Sequence, residues 1–299
     1  MDAHAERLYK AFHNPPAAMR DNMRAELDSQ LKQRSEALTR RLEQERASRL
    51  LSEPILRKVF QEAQELALPA PPKLAPTAPP IEIPRPEKSW LKHGSVFMLD
   101  VPPFDDAYAS GTVTGGGITH PQASTDGFLN VNVDCLSTNG GTATSFAAVA
   151  MSYSPPGPSC RQGVTNGLMT ARTSVSFSWG WVAGSKLWAA GVVDLVIGLQ
   201  VQKYDISGDF IAPIGDQFVS VVSENFQDFL NQGGASNSGT LSLATHSNVS
   251  NLFNYSVLVT AFADASAWGG FGNPGFFESF SSGFMQVHVP FMEIDIIYP

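Results

Sequence analysis

Two hydrophobic periods divide the chain. Met19, Met23, Leu27, Leu31, Leu38, Leu42 and then Leu50 or Leu51 recur at helical spacing and stay on one narrow face, which predicts a helix over about 17–51. Arg20, Asp21, Arg24, Glu26, Asp28, Lys32, Arg34 and Glu36 surround the stripe, many in opposite-charge pairs three or four residues apart. Such a helix buries too little to stand alone and needs a partner along its stripe. A shorter helix is expected over 2–13, with Leu8, Tyr9 and Phe12 on one side, stopped by Asn14-Pro15-Pro16. A third is expected from Ser52, as N-cap, with Pro54 in its first turn, through about Leu66. Residues 1–67 therefore read as a helical arm for oligomerisation or docking. The stripe drifts from a strict coiled-coil heptad, so the arm is a self-associating or partner-binding bundle more readily than a hairpin closed on itself.

After residue 90 the period becomes two. Leu129, Val131, Val133 and Cys135 alternate with Asn130, Asn132 and Asp134, the signature of a half-buried strand with a polar outer face. Val175, Phe177, Trp179 and Trp181 alternate with serine and glycine. Leu195 to Val201 and Tyr255 to Ala261 behave in the same way. At the C-terminus Met285, Val287, Val289 and Phe291 are followed by Met292, Ile294 and Ile296, with Pro290 inside the run, so this strand is expected at an edge or bulged there. Shorter strands are expected at 96–100, 145–153, 217–223 and 240–244, and one helical turn at 224–230. Turn clusters such as Asn139-Gly140-Gly141, Pro155-Pro156-Gly157-Pro158 and Gly233-Gly234 punctuate these runs. Eight to ten strands without a helical period predict an antiparallel β-sandwich or jelly roll over 91–299.

Between the two parts lies Leu68 to Trp90. Eight of the eighteen residues from Pro69 to Pro86 are proline, too many for a helix or a paired strand. The segment reads as a polyproline II linker of roughly 55 Å at about 3.1 Å per residue.

Charge follows the same division. Twelve of the 20 basic residues fall within residues 1–67, matched by eleven acids, whereas from Gly94 onward four basic residues face fifteen acids. A head of that sign has no surface for displacing counterions from a phosphate backbone, so the β domain is not a nucleic-acid binder. The N-terminal MDAHAERLYK lacks the apolar core of a secretory signal, and no run reaches the eighteen or so apolar residues of a membrane span. The expected location is accordingly cytoplasmic, or outside by a route without a signal peptide. Cys135 and Cys160 form neither a zinc pattern nor a disulfide-dense scaffold and are expected as reduced thiols.

The sequence carries no catalytic constellation. There is no G-x-S-x-G elbow, and His4, His13, His93, His120, His246 and His288 are scattered without ligand spacing. Asp205 and Asp209 in YDISGD offer carboxylates to a calcium ion, although aspartate, serine and glycine are also what a tight turn requires. Glu293 and Asp295 share a strand face but lack a partner strand to make an acid/base pair. No cofactor and no metal are expected. The most suggestive segment is the glycine-rich loop 268–280, where Trp268, Phe271, Asn273, Phe276 and Phe277 form a candidate ligand-binding set; the same aromatics would also serve to plug the end of a sandwich.

Taken together the pattern predicts a non-enzymatic, multimeric binding protein: a helical arm for homo-oligomerisation and a lectin-like or receptor-binding head for a carbohydrate or protein ligand. The alternative is a structural subunit of a shell, spike or filament, and a more distant one a β-sandwich hydrolase.

Overall fold

Alternating side chains from thirteen strands meet to form the interior of an antiparallel β-sandwich, seen in a computed structural model that describes residues 17–50, 95–137, 141–155, 166–186, 190–226, 230–268 and 279–298. The linker, the two flanking helices of the arm, and Cys160 lie outside the described residues. One sheet holds β1 (Ser95–Asp100), β3 (Gly117–Thr119), β4 (Gln122–Ala123), β5 (Phe128–Ser137), β7 (Asn166–Lys186), β10 (Leu230–Ser250), β12 (Ser279–His288) and β13 (Met292–Ile297). The other, in the order given, is β2 (Asp106–Gly115), β6 (Gly141–Tyr153), β11 (Asn254–Trp268), β8 (Ala190–Tyr204) and β9 (Phe210–Phe226). All pairings are antiparallel, and the long strands from β5 to β12 mostly alternate between the sheets. Leu129, Val131, Val133 and Cys135 meet Leu195, Ile197, Leu199, Val257, Val259, Met285, Val287, Ile294 and Ile296 in one fully buried core.

The proline-interrupted C-terminal run is a bulge and not an edge. β12 and β13 lie along the same flank of β7, where His288 pairs with Ser176 and Glu293 with Arg172. Five steps on one side therefore oppose four on the other. The Thr173 hydroxyl donates to the Phe291 carbonyl (2.7 Å) across the irregularity. The helical turn expected at 224–230 is not formed where the chain is described: Glu224 and Asn225 pair with Val193 and Val192, and this ladder overrides local preference.

The arm's central helix, α1 (Ala17–Leu50), finds its partner in the same chain. Every residue of β6 and β11 is buried, so these strands are covered on both faces. Their outer side chains Phe146, Ala148, Ala150, Leu258 and Phe262 pack under Met19, Met23, Leu27 and Leu31 of the helix. Polar groups fix the docking at both ends. Asn22 donates to the Gly208 carbonyl (2.9 Å) and to Asp209 Oδ1 (3.1 Å), and Arg24 grips both oxygens of Asp106 (Nε–Oδ2 3.1 Å, Nη2–Oδ1 2.6 Å). Tyr108 donates its hydroxyl proton to Asp28. Farther along, Arg34 Nε reaches the buried Asp264 at 2.5 Å while its guanidinium sits 4.7 Å from the centre of the Phe262 ring. Gly208, at φ +96°, makes the approach possible, because a Cβ there would stand 2.7 Å from the Met19 nitrogen.

Burial of these apolar side chains, at about 1.5–3 kcal/mol each, dominates the docking. Leu27→Ala should cost about 2–5 kcal/mol, read as faster amide exchange in α1 than in β11; unchanged protection of α1 would show that the stripe does not hold it.

Asp100, buried at the end of β1, accepts the Val101 N–H (3.0 Å). Burial, reinforced by the neighbouring Asp105 charge, pushes its carboxyl up to about 7. The folded chain therefore holds this proton more tightly than the unfolded chain, and stability falls as pH rises between about 4 and about 7. On the order of 4 kcal/mol is at stake across that window. Asp100→Asn should flatten this part of the curve of melting temperature against pH; an unchanged slope would exclude Asp100 as its source.

Candidate functional site

The sequence-predicted loop is only partly described. Trp268 ends β11 opposite Ala190 and is 4% exposed, packed inward as a plug would be. Its carbonyl accepts the Ser279 hydroxyl (2.8 Å). Phe271, Asn273, Phe276 and Phe277 lie outside the described residues.

The other candidates resolve into structural roles. Cys135 is a free thiol at the core, pushed up to about 12 by burial and by the adjacent Asp134 charge, which makes it unreactive near neutrality. Asp205 organises its turn: Oδ1 accepts the Ser207 hydroxyl (2.8 Å), the Ser207 N–H (2.9 Å) and the Asp209 N–H (2.8 Å). These hydrogen bonds, led by that of the Ser207 hydroxyl, hold its carboxyl below the usual range. Asp209 meets Asn22 of the helix instead of turning to a shared ligand. Glu293 pairs with Arg172 (3.3 Å). His246 Nδ1 lies 2.9 Å from the Thr170 hydroxyl, and His288 is half-buried beside Ser176. Among the described residues, no three or more His, Cys, Asp or Glu side chains are placed to hold a metal ion together.

A different site emerges on the outer face of the eight-stranded sheet. α1 covers the opposite sheet, so this face keeps the polar side chains that alternate with the core. Strand pairing brings them together in rows: Asn132 faces Phe284, Asn130 faces Gln286, and Asp134 lies between Ser282 on β12 and Ile118 on β3. They line an open cleft of about 490 Å³ together with His120. The His120 N–H donates to Asn132 Oδ1 (2.5 Å), which ties β5 to the segment after β3. The Phe284 ring is laid over β7 because its cross-strand neighbour is Gly180, where a Cβ would stand 2.6 Å from Phe284 Cε1. Partial desolvation raises the Asp134 carboxyl above the usual carboxylate range.

Chemically the cleft offers amide donors and acceptors, one carboxylate, an imidazole and an aromatic face within a few strand spacings. None of its described lining residues is a lysine or an arginine, so an anionic ligand finds no permanent counter-charge. A neutral, hydroxyl-rich ring suits such a surface: its C–H face lies on the aromatic and its hydroxyls reach the amides. The polar outer face of β5 is visible in the sequence, and Asn130 and Asn132 are unusual enough in a strand to mark it. Its juxtaposition with Phe284, Gln286 and His120 depends on the β12–β5–β3 strand order, which alternation does not encode.

No protein-family model matches the chain. No curated protein sequence matches it either. Among solved structures, a carbohydrate-binding module in complex with β-1,4-galactotriose is similar at 12% identity and a TM-score of 0.15, over 61% of this chain and 88% of the module. A CocE/NonD family hydrolase from Staphylococcus aureus is similar at 9% identity and 0.23, over 66% of this chain and 38% of the hydrolase. A chain of the infectious bursal disease virus structure is similar at 10% identity and 0.13, over 74% of this chain and 46% of its own length. Likenesses this slight carry no argument about ligand or activity. Among the described residues no helix is long and apolar enough to cross a membrane.

The Gly180–Phe284 contact is open to test. Gly180→Ala should displace the ring and cost about 1–3 kcal/mol, and Phe284→Leu should recover most of that loss. Equal cost of Gly180→Ala in both backgrounds would show that the ring does not lie over Gly180.

Proposed function

We propose that this protein is a non-enzymatic, multimeric binding protein whose β-sandwich head is lectin-like and takes a neutral carbohydrate in the cleft around Phe284. The observation that carries the reading is the convergence of Asn130, Asn132, Asp134, Gln286 and His120 on one outer sheet face beside an aromatic ring, with no lysine or arginine among the described lining. A single site of this kind is shallow and weak, and several copies acting together supply avidity. The second reading, a structural subunit of a shell, spike or filament, draws on the strand edges described below.

Titration of the full-length protein against a panel of neutral and of sulfated or sialylated oligosaccharides tests the proposal. Neutral glycans should bind, anionic ones should not, and Phe284→Ala should weaken binding at least tenfold, about 1.4 kcal/mol, with an unchanged melting curve. Absence of glycan binding would overturn the reading. Binding that survives Phe284→Ala but is lost in Phe271→Ala would move the site to the 268–280 loop.

A further inference from the structure

The sandwich treats its strand edges unequally. An exposed edge offers free main-chain donors and acceptors, and natural sheets blunt it with short strands, charges, proline or bulges. β9, at the border of the five-stranded sheet, carries Pro213, Asp216 and Glu224 and is interrupted by three register shifts. β2, at the other border, begins with the clamped Asp106. β1 has six residues and ends in Asp100, and β3 and β4 have three and two.

β10 has none of these defences. Its 21 residues, LNQGGASNSGTLSLATHSNVS, contain no charge and no proline, and they pair with β7 in unbroken register from Leu230 to Ser250. One half is sealed against β9: the Ala244 N–H donates to Gln217 Oε1 (2.7 Å), the Ser247 hydroxyl donates to the Ile214 carbonyl (3.2 Å), and Thr245, Ser247 and Val249 are buried. In the other half Gly234, Ala235, Ser236, Asn237, Thr240 and Ser242 are exposed. In an antiparallel ladder both main-chain groups of a residue point to the same side. The Ala244 N–H points away from β7, so those of Ser242, Thr240, Ser238, Ser236 and Gly234 point away as well. Asn237 Oδ1 accepts the Ser238 N–H (2.8 Å).

We infer that residues 234–242 of β10 pair antiparallel with the same strand of a second copy, about a two-fold axis near Ser238. Self-pairing of this kind sets Ser238 opposite its own copy and every other residue opposite the one equally far on the other side of the axis. A charge at the axis would face its like, and a charge elsewhere would need an opposite charge at the mirrored position. A strand without charges meets both conditions at once. Ser236 of one copy then lies opposite Thr240 of the other, on the same face as the Phe284 cleft, and the two sheets join into one. Leu241 on this stretch, and Phe177 and Trp179 next to it on β7, are only partly buried. The contact is isologous and closes at two copies. The inference rests on the multimeric part of the proposed function and is independent of the ligand.

Sedimentation of the full-length protein over a concentration series tests it. The wild type should form a dimer, and Ser236→Lys with Thr240→Lys should weaken it at least tenfold, with melting curve and far-ultraviolet spectrum unchanged. Ser236→Asp with Thr240→Asp should do the same. Mixing the two variants at low salt should restore a heterodimer, a result that simple misfolding would not give. A monomeric wild type, a dimer indifferent to both pairs of substitutions, or an open-ended fibre would overturn the inference. Phe284→Ala should stay dimeric while losing glycan, so a failed dimer and a failed ligand are told apart.

Discussion

Burial of the outer faces of β6 and β11 under α1 is the contact on which the rest of the molecule depends. Phe146, Ala148, Ala150, Leu258 and Phe262 would form an exposed apolar strip on a bare sheet, and Met19, Met23, Leu27 and Leu31 would be stranded on a lone helix. Each surface is the other's cover. Direction comes from charge. Arg24 on Asp106 and Arg34 on Asp264 place cations against carboxylates that the sheet has largely removed from water, and burial raises the Asp264 carboxyl even beside its guanidinium. Such pairs contribute little net stability, but they penalise any sliding of the helix that would leave a carboxylate buried alone. The apolar stripe sets how strongly α1 binds and the arginines set where.

This docking also decides which sheet meets solvent. With one face closed by the helix, the eight-stranded sheet is left to present its polar side chains outward, and the cleft follows from that asymmetry. β5 contributes alternate Asn130, Asn132 and Asp134, and β12 answers with Gln286, Phe284 and Ser282. The aromatic ring has room only because Gly180 stands opposite it on β7. A glycine weakens a strand interior, yet here it leaves space for a flat apolar surface amid hydrogen-bonding groups, which is the composition a sugar ring requires.

The helix and most of the strands were legible in the sequence because their periods are clean. The stripe from Met19 to Leu38 and the alternation of 129–135 appear as read. Residues 195–201 and 255–261 form strands with the expected inward set, although Gln200, Ser256, Leu258 and Thr260 between those residues are buried too. The partner of the stripe was not legible, since nothing in a helix's own spacing says whether its complement is a second helix or a sheet. β6 was only half legible for the same reason: its outer residues are small or apolar where they lie beneath α1, and Thr142 and Thr144, outside the strand expected at 145–153, are buried in it as well. Of the site, the polar ladder on β5 was visible, whereas its union with Phe284 arises from non-local pairing across about 150 residues of chain. The 268–280 segment drew attention by its aromatic and glycine content, and the residues of it that are described, Trp268, Ser279 and Phe280, are packed inward.

Among the described residues the same docking bears on where valency would come from. The stripe is already spent on the head, and away from it Asp21, Lys32 and Glu36 are charged and exposed. Assembly through α1 would first have to strip it from β6 and β11, exposing two apolar surfaces to gain one contact. A surface on the head carries no such cost. Of the long edges among the described residues, β10 is the one whose sequence lacks charge and proline and whose ladder runs without a bulge. Pairing there would set two Phe284 clefts on one continuous sheet face, pointing the same way. In that geometry a repetitive ligand engages both at once, so an open, weak site on each head becomes a strong one on the pair.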